Sequence, residues 1–211
     1  MPLFKTIKPN KHTTVFVWKI DEPIKTLSKG IVLTERSKNR LLSMKSEIHR
    51  RGFLSVRHLL KMAGYTDLDL FYNGNGKPHL TDGKHISITH SFNFSAIIVS
   101  DFEVGIDIEK NREKIKVIQH KFVNFERGFI HKDDDYIQQL TVIWGAKESL
   151  YKIYPHGGLT FKNDIDINSF QIADKKTTGY IKAKDWNKNY TIKFHQIEGF
   201  TLVYALANSK K

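Results

Sequence analysis

The spacing of apolar positions along this chain changes several times, and each change predicts an element. Val15-Phe16-Val17-Trp18 is an unbroken run of β-formers, so an opening strand covered on both faces is expected. From Thr34 to Met62 the spacing becomes helical, as two helices, with Gly64 as the stop. The second helix turns Phe53, Val56, Leu59, Leu60 and Ala63 toward a core, and Arg50, Arg51 and Arg57 flank or oppose that face. Asn73-Gly74-Asn75-Gly76-Lys77-Pro78 is a turn cluster. It is not a Walker-type phosphate loop, because its glycine spacing differs and no Ser or Thr follows the Lys. His85 to Ser91 alternates, with Ile86, Ile88 and His90 on one face, and Ala96 to Val99 follows as the second arm of a hairpin.

Val104 to Glu109 alternates again: Val104, Ile106 and Ile108 fall on one face of a strand, Gly105, Asp107 and Glu109 on the other. Residues 110–132 are mixed and basic, with Phe122, Phe125 and Phe129 spaced for a short helix packing inward. Asp133-Asp134-Asp135 opens a long helix, where acids favour the N-terminus through capping and the macrodipole. That helix ends near Tyr154, since Pro155 disfavours continuation and Gly157-Gly158 follow. Strands are expected at 165–173, 180–186, 190–197 and 200–207, with Glu198-Gly199 as a hairpin turn and 209–211 as a frayed tail. The pattern is α+β, with a boundary between 1–102 and 103–211, each part supplying a helix and several mostly antiparallel strands.

Composition narrows the class. The chain has 211 residues, and 40% are hydrophobic, including 14 Phe, which suits a folded core. There is no cysteine, so disulfides and thiolate metal sites are excluded and a reducing cytoplasm is compatible. No signal-peptide pattern or membrane-length apolar run is visible, and a cytoplasmic protein that does not engage a membrane is expected. Net charge is +12: residues 1–102 hold 16 Lys and Arg against 8 Asp and Glu, the remainder 18 against 14. A basic surface favours polyanionic partners. The charges are dispersed singly or in pairs and no nucleic-acid reading motif is present, so nucleic acid is not the expected partner.

Chemistry concentrates in two words. Asp107 and Glu109 on one strand face have Cα atoms about 6.7 Å apart, close enough for their side chains to converge on one cation. In the later helix Leu140, Trp144, Glu148 and Lys152 form one stripe at spacing four, which leaves the core as it turns charged. Glu148 can complete a three-carboxylate set. Oxygen-only ligands suit Mg²⁺ or Mn²⁺, and Mg²⁺ takes few carboxylates together with substrate phosphates. Lys152, one turn further, is placed to meet an anionic oxygen. The plain alternative is an exposed strand face and a solvated Glu–Lys pair.

Gly105-x-Asp107-x-Glu109 followed by Trp144-x-x-Lys147-Glu148-Ser149-x-x-Lys152 closely resembles the signature of the 4′-phosphopantetheinyl transferases, in their larger single-chain type. Gly76-Lys77-Pro78 resembles a further element of that family, and Thr89-His90-Ser91 its Ser-His-Ser element, with Thr in place of the first Ser. The resemblance implies two similar α/β halves related by a pseudo-twofold, each a mostly antiparallel sheet packed with a long helix, and an active site between the halves. It implies transfer of the 4′-phosphopantetheine arm of coenzyme A to a serine of an acyl or peptidyl carrier protein, releasing 3′,5′-ADP, as in a holo-acyl-carrier-protein synthase. Asp107, Glu109 and Glu148 would hold Mg²⁺, Glu148 would serve as base and Lys152 would aid the leaving group. Lys77, Thr89 and His90 would contact coenzyme A phosphates, and Arg50, Arg51 or Arg57 its 3′-phosphate. An acidic carrier and a monomer are the expected partner and state. The competing readings are a non-catalytic coenzyme A or nucleotide binder on the same fold and a basic nucleic-acid binder.

Overall fold

The strand predicted at Val15–Trp18 has a neighbour that its own sequence scarcely announces. In the computed structural model, which describes residues 3–184 and 186–208, β1 (Leu3–Asn10) pairs antiparallel with β2 (Thr13–Lys19). Lys5, Thr6, Lys8 and Asn10 leave β1 with few apolar positions, as befits an edge strand. The chain separates into two units, Met1–Phe102 and Glu103–Lys211.

In the first unit, a short α1 (Ile24–Leu27) precedes α2 (Glu35–Ser43) and α3 (Glu47–Met62), the two expected helices. Thr34 caps α2, its hydroxyl accepting from the Ser37 N–H. A small hairpin of β3 (Leu70–Tyr72) and β4 (Pro78–Leu80) is closed by the Asn73–Lys77 turn, where the Asn73 side-chain oxygen accepts from the Asn75 and Lys77 backbone N–H groups. β5 (His85–Ser91) and β6 (Phe94–Ser100) form the expected hairpin. The four-stranded antiparallel sheet runs β1-β2-β6-β5. Phe53, Leu54, Val56, Leu59 and Leu60 of α3 pack on one face of it, against Trp18, Ile86, Ile97 and Val99.

The second unit opens with β7 (Val104–Lys110), followed by α4 (Lys114–Ile118), two 3₁₀ turns and α5 (Tyr136–Ile153). Then come β8 (Ile165–Ile167), β9 (Lys176–Ala183), β10 (Trp186–Ile197) and β11 (Phe200–Ala207). All pair antiparallel in the order β7-β11-β10-β9-β8. Leu140, Ile143, Ala146 and Leu150 of α5 lie among Ile181, Ile192, Phe194, Val203 and Ala205. The architecture is α+β with antiparallel sheets, as the pattern predicts.

Three details differ from expectation. Only Ile165–Ile167 of the stretch 165–173 is a strand, and Ile172–Asp174 closes as a 3₁₀ turn. Phe122 points inward at 0% exposure, but Phe125 is 52% exposed, because 3₁₀ turns replace the regular helix that would have put both on one face. Asp135 occupies the N-cap of α5 without a side-chain cap bond; instead the Asp133 carboxylate accepts from the Asp135 N–H and the Gln139 amide. The tail at 209–211 lies outside the described residues. Among the described residues no helix is long and apolar enough to cross a membrane.

Candidate active site

Two glycines set how closely α5 lies on β7. A Cβ on Gly105 would be driven into the Ser149 carbonyl oxygen of the helix, so the strand can carry no side chain there. On the helix, a Cβ at Gly145 would stand 2.8 Å from Val203 Cγ2 and 3.6 Å from Asp107 Oδ2. Between them the Ser149 hydroxyl donates to the Gly145 carbonyl at 2.7 Å and reaches the Val203 carbonyl at 3.3 Å. The strand face that carries Gly105, Asp107 and Glu109 is therefore the one the helix covers. It is not the open face that simple alternation would allow.

That packing brings the acids into one electrostatic field. Asp107 is buried; Glu109 and Glu148 are half-buried. Burial first, then the charge of Asp107 and to a smaller degree Glu109, pushes the Glu148 carboxyl up to about 7, while Lys152 pulls it back. Lys152 donates to Asp107 Oδ1 at 2.9 Å and to the Ile106 carbonyl at 2.8 Å, so its ammonium already neutralises one member of the set. A carboxyl held near neutrality by two others is the pattern of a place built to accept a proton or a cation.

Among the described residues no three His, Asp or Glu side chains close into a finished ligand cage. Asp107, Glu109 and Glu148 offer oxygen donors of the kind a hard divalent ion takes, and such an ion draws the rest of its oxygens from water and substrate phosphates. Beside Glu109 a cavity of about 140 Å³ is lined by Lys110, Arg112, Lys114, Thr141 and Trp144, which places three cations on the wall that Glu109 shares.

The remaining expected residues lie in the first unit. Thr89 is buried in β5 and His90 is exposed next to it. The His90 ring rests on α3 where Gly52 makes room: a Cβ there would be 3.3 Å from His90 Cγ. Lys77 is half-buried in the β3–β4 turn. Arg50 donates through Nε to the Met44 carbonyl at 2.6 Å, and Arg51 through Nη2 to the Ile20 carbonyl at 2.7 Å. Arg57 is a correction. It is 5% exposed, pairs with Asp67 Oδ1 at 2.9 Å, donates to Ser37 and the Phe53 carbonyl, and lies 3.4 Å from the Phe53 ring centroid. It is a core cation, not a phosphate clamp, since its helix position faces inward with the apolar residues.

Three features went unassigned in the sequence. Gly52 gives no signal apart from being a glycine inside a helix. Arg36 and Arg40, spaced four apart on α2, stand exposed with guanidiniums 5.8 and 5.5 Å from the Tyr72 ring centroid. Lys147, at 0% side-chain exposure, pairs with Glu126 Oε1 at 2.7 Å.

A tight helix-on-sheet pairing that sets Asp107, Glu109 and Glu148 in one electrostatic field, with a basic cavity beside Glu109, defines this α+β domain. Residues 103–205, nearly all of the second unit, match the model of the 4′-phosphopantetheinyl transferase superfamily. It is also 28% identical over 147 residues to the 4′-phosphopantetheinyl transferase gsp of Aneurinibacillus migulanus. That match covers 67% of this chain and 60% of the relative's length.

Proposed function

We propose that this protein transfers the 4′-phosphopantetheine arm of coenzyme A to a serine hydroxyl of an acyl or peptidyl carrier protein, releasing 3′,5′-ADP. The observation that carries the reading is Glu148, raised to about 7 by burial and by Asp107, on a helix that lies within the residues matching the superfamily model. In the step, the serine oxygen bonds to the phosphorus that bears the pantetheine arm. The bond from that phosphorus to the oxygen of the 3′,5′-ADP leaving group breaks, and the serine proton passes to base.

Glu148 is suited to be that base, because a carboxyl near neutrality takes up a proton at physiological pH more readily than an ordinary one. Asp107 and Glu109, with Glu148, would hold Mg²⁺ or Mn²⁺. When bound, such an ion supplies Lewis-acid charge neutralisation on the diphosphate oxygens. Lys152, whose ammonium is now on Asp107, would neutralise charge on the departing phosphate. Lys77, Thr89 and His90 are proposed as phosphate contacts for coenzyme A, and Arg50 or Arg51 for its 3′-phosphate. Little covalent chemistry is asked of the protein; positioning and charge carry the reaction.

Mass spectrometry of apo carrier proteins incubated with the protein, coenzyme A and Mg²⁺ tests this. One added phosphopantetheine arm is expected, and its loss in Glu148→Ala. No adduct on any of several acyl and peptidyl carriers refutes the transfer, and full activity in Glu148→Ala refutes the assigned roles.

A further inference from the structure

Next to Glu148 on α5 lies a buried charge that the proposed chemistry does not use. All three donor directions of the Lys147 ammonium are taken: Glu126 Oε1 at 2.7 Å, the Phe122 carbonyl at 2.7 Å and the Phe161 carbonyl at 2.9 Å. The Glu126 carboxylate in turn accepts from the Ile167 N–H at 3.0 Å and the Asn124 N–H at 3.1 Å. Both side chains are fully buried. One ion pair thus ties together the segment 122–126, the loop at 161, the end of β8 on the sheet's far edge, and the middle of α5.

Such a pair is a poor source of stability, since well-packed apolar residues of like volume commonly serve as well. What it does supply is direction. Its two carbonyl acceptors belong to Phe122 and Phe161, whose ring centroids each lie 5.2 Å from that of Trp144. Trp144 lines the cavity beside Glu109 and stands one helical turn before Glu148. Apolar substitutes could fill the space but would leave the rotation of α5 about its axis unspecified.

We propose that the Lys147–Glu126 pair is a positioning device that holds Phe122 and Phe161 against Trp144 and fixes the helical turn presenting Glu148 to Asp107 and Glu109. The kinetic part of this rests on the transferase reading above. Neither residue touches reacting atoms; both act through α5.

The test uses the apolar swap Glu126→Leu/Lys147→Met and, separately, Glu126→Gln, which keeps the side-chain shape but removes the carboxylate charge. Thermal unfolding, steady-state kinetics with a carrier protein, and acrylamide quenching of Trp144 in a Trp18→Phe/Trp186→Phe background are measured on each. The swap is expected to hold its melting temperature while kcat falls about ten- to a hundredfold, the size expected from misplacing a group by about an ångström. KM for coenzyme A should stay within about twofold, because ground-state binding is not what the pair sets. Quenching of Trp144 should increase in both variants.

A folded swap or a folded Glu126→Gln with unchanged kcat and unchanged quenching overturns the proposal. Failure of both variants to fold also overturns it, since the pair would then be a requirement of the fold itself. If the unaltered protein loads no carrier, the transferase reading fails instead, and the quenching comparison alone decides for or against the positioning device.

Discussion

Glu148 gives the sharpest prediction, because a raised carboxyl is a liability to the folded state. Its value stands at about 7 against 4.5 for an ordinary glutamate, through burial and the field of Asp107. The folded value exceeds the unfolded one, so the penalty is absent below about 4.5, grows as pH rises, and is complete above about 7. At 1.36 kcal/mol for each pH decade, the gap from 4.5 to about 7 amounts to about 3 kcal/mol, which solvent at its half-exposed edge trims to about 2. Glu148→Gln removes the charge and keeps the shape. In cation-free buffer the variant should therefore equal the parent protein near pH 4.5 and exceed it by about 2 kcal/mol at pH 8. For a chain of this size that is a gain of about 4 to 8 °C in melting temperature. Differential scanning calorimetry of both proteins across pH 4.5 to 8.5 reads the divergence. Millimolar Mg²⁺ should narrow it by stabilising the parent more than the variant. A melting-temperature difference that stays flat with pH would falsify the electrostatic account of the site.

Other consequences are open to simpler measurements. Arg57→Met leaves Asp67 buried without its cation and should cost about 3 to 5 kcal/mol in urea unfolding, whereas Arg50→Ala should cost under about 1. Burial acts to raise the Asp67 carboxyl, but bonds from the Thr34 N–H and the Ser37 hydroxyl, together with Arg57, hold it below 3.8 overall. Its contribution is present above the unfolded value and lost as pH falls through the folded one, so Asp67→Asn should flatten the acid limb of the stability curve. Gly105→Ala forces a Cβ into the Ser149 carbonyl and should abolish soluble expression or drop stability by about 3 kcal/mol or more, while Gly74→Ala, with open space around it, should lie within about 0.5. Lys152→Met should fold yet lower carrier loading about a hundredfold, seen as kcat loss by mass spectrometry, if its ammonium serves the leaving phosphate.

Where a strand or helix buries one periodic face, the sequence announced it: the β5–β6 hairpin, β11 and the end of α5 lie within a residue or two of their expected places, whereas β9 (Lys176–Ala183) and β10 (Trp186–Ile197) each begin four residues ahead of theirs. Phe200–Ala207 is a nearly continuous apolar run, as a strand covered on both faces requires, and the Glu198-Gly199 turn has positive φ at both residues, the geometry a tight hairpin demands. β1 escaped because an edge strand carrying two lysines has no apolar stripe to read. Arg57 was misjudged because helical spacing says which way a side chain points but not that an aspartate ten residues further on will meet it in the core. The acids of the second unit were legible as residue types at a spacing. Their shared field was not, since it depends on two glycines that let the helix backbone descend onto the strand. Nor was the Lys147–Glu126 pair, because a charge in a helix normally reads as solvated.

The strand that carries Asp107 and Glu109 hydrogen-bonds along its length to Phe200–Ala207, not to any segment near it in the chain. At ribosomal speeds of about 5 to 20 residues per second, it waits roughly 5 to 20 s in a growing polypeptide before that neighbour is even synthesised. Over that interval its backbone is an open edge, available to chaperones or to wrong strands. The birth of the acidic centre is thus timed by the arrival of β11, and a C-terminal truncation that spares every acidic residue would still leave that centre without its supporting strand.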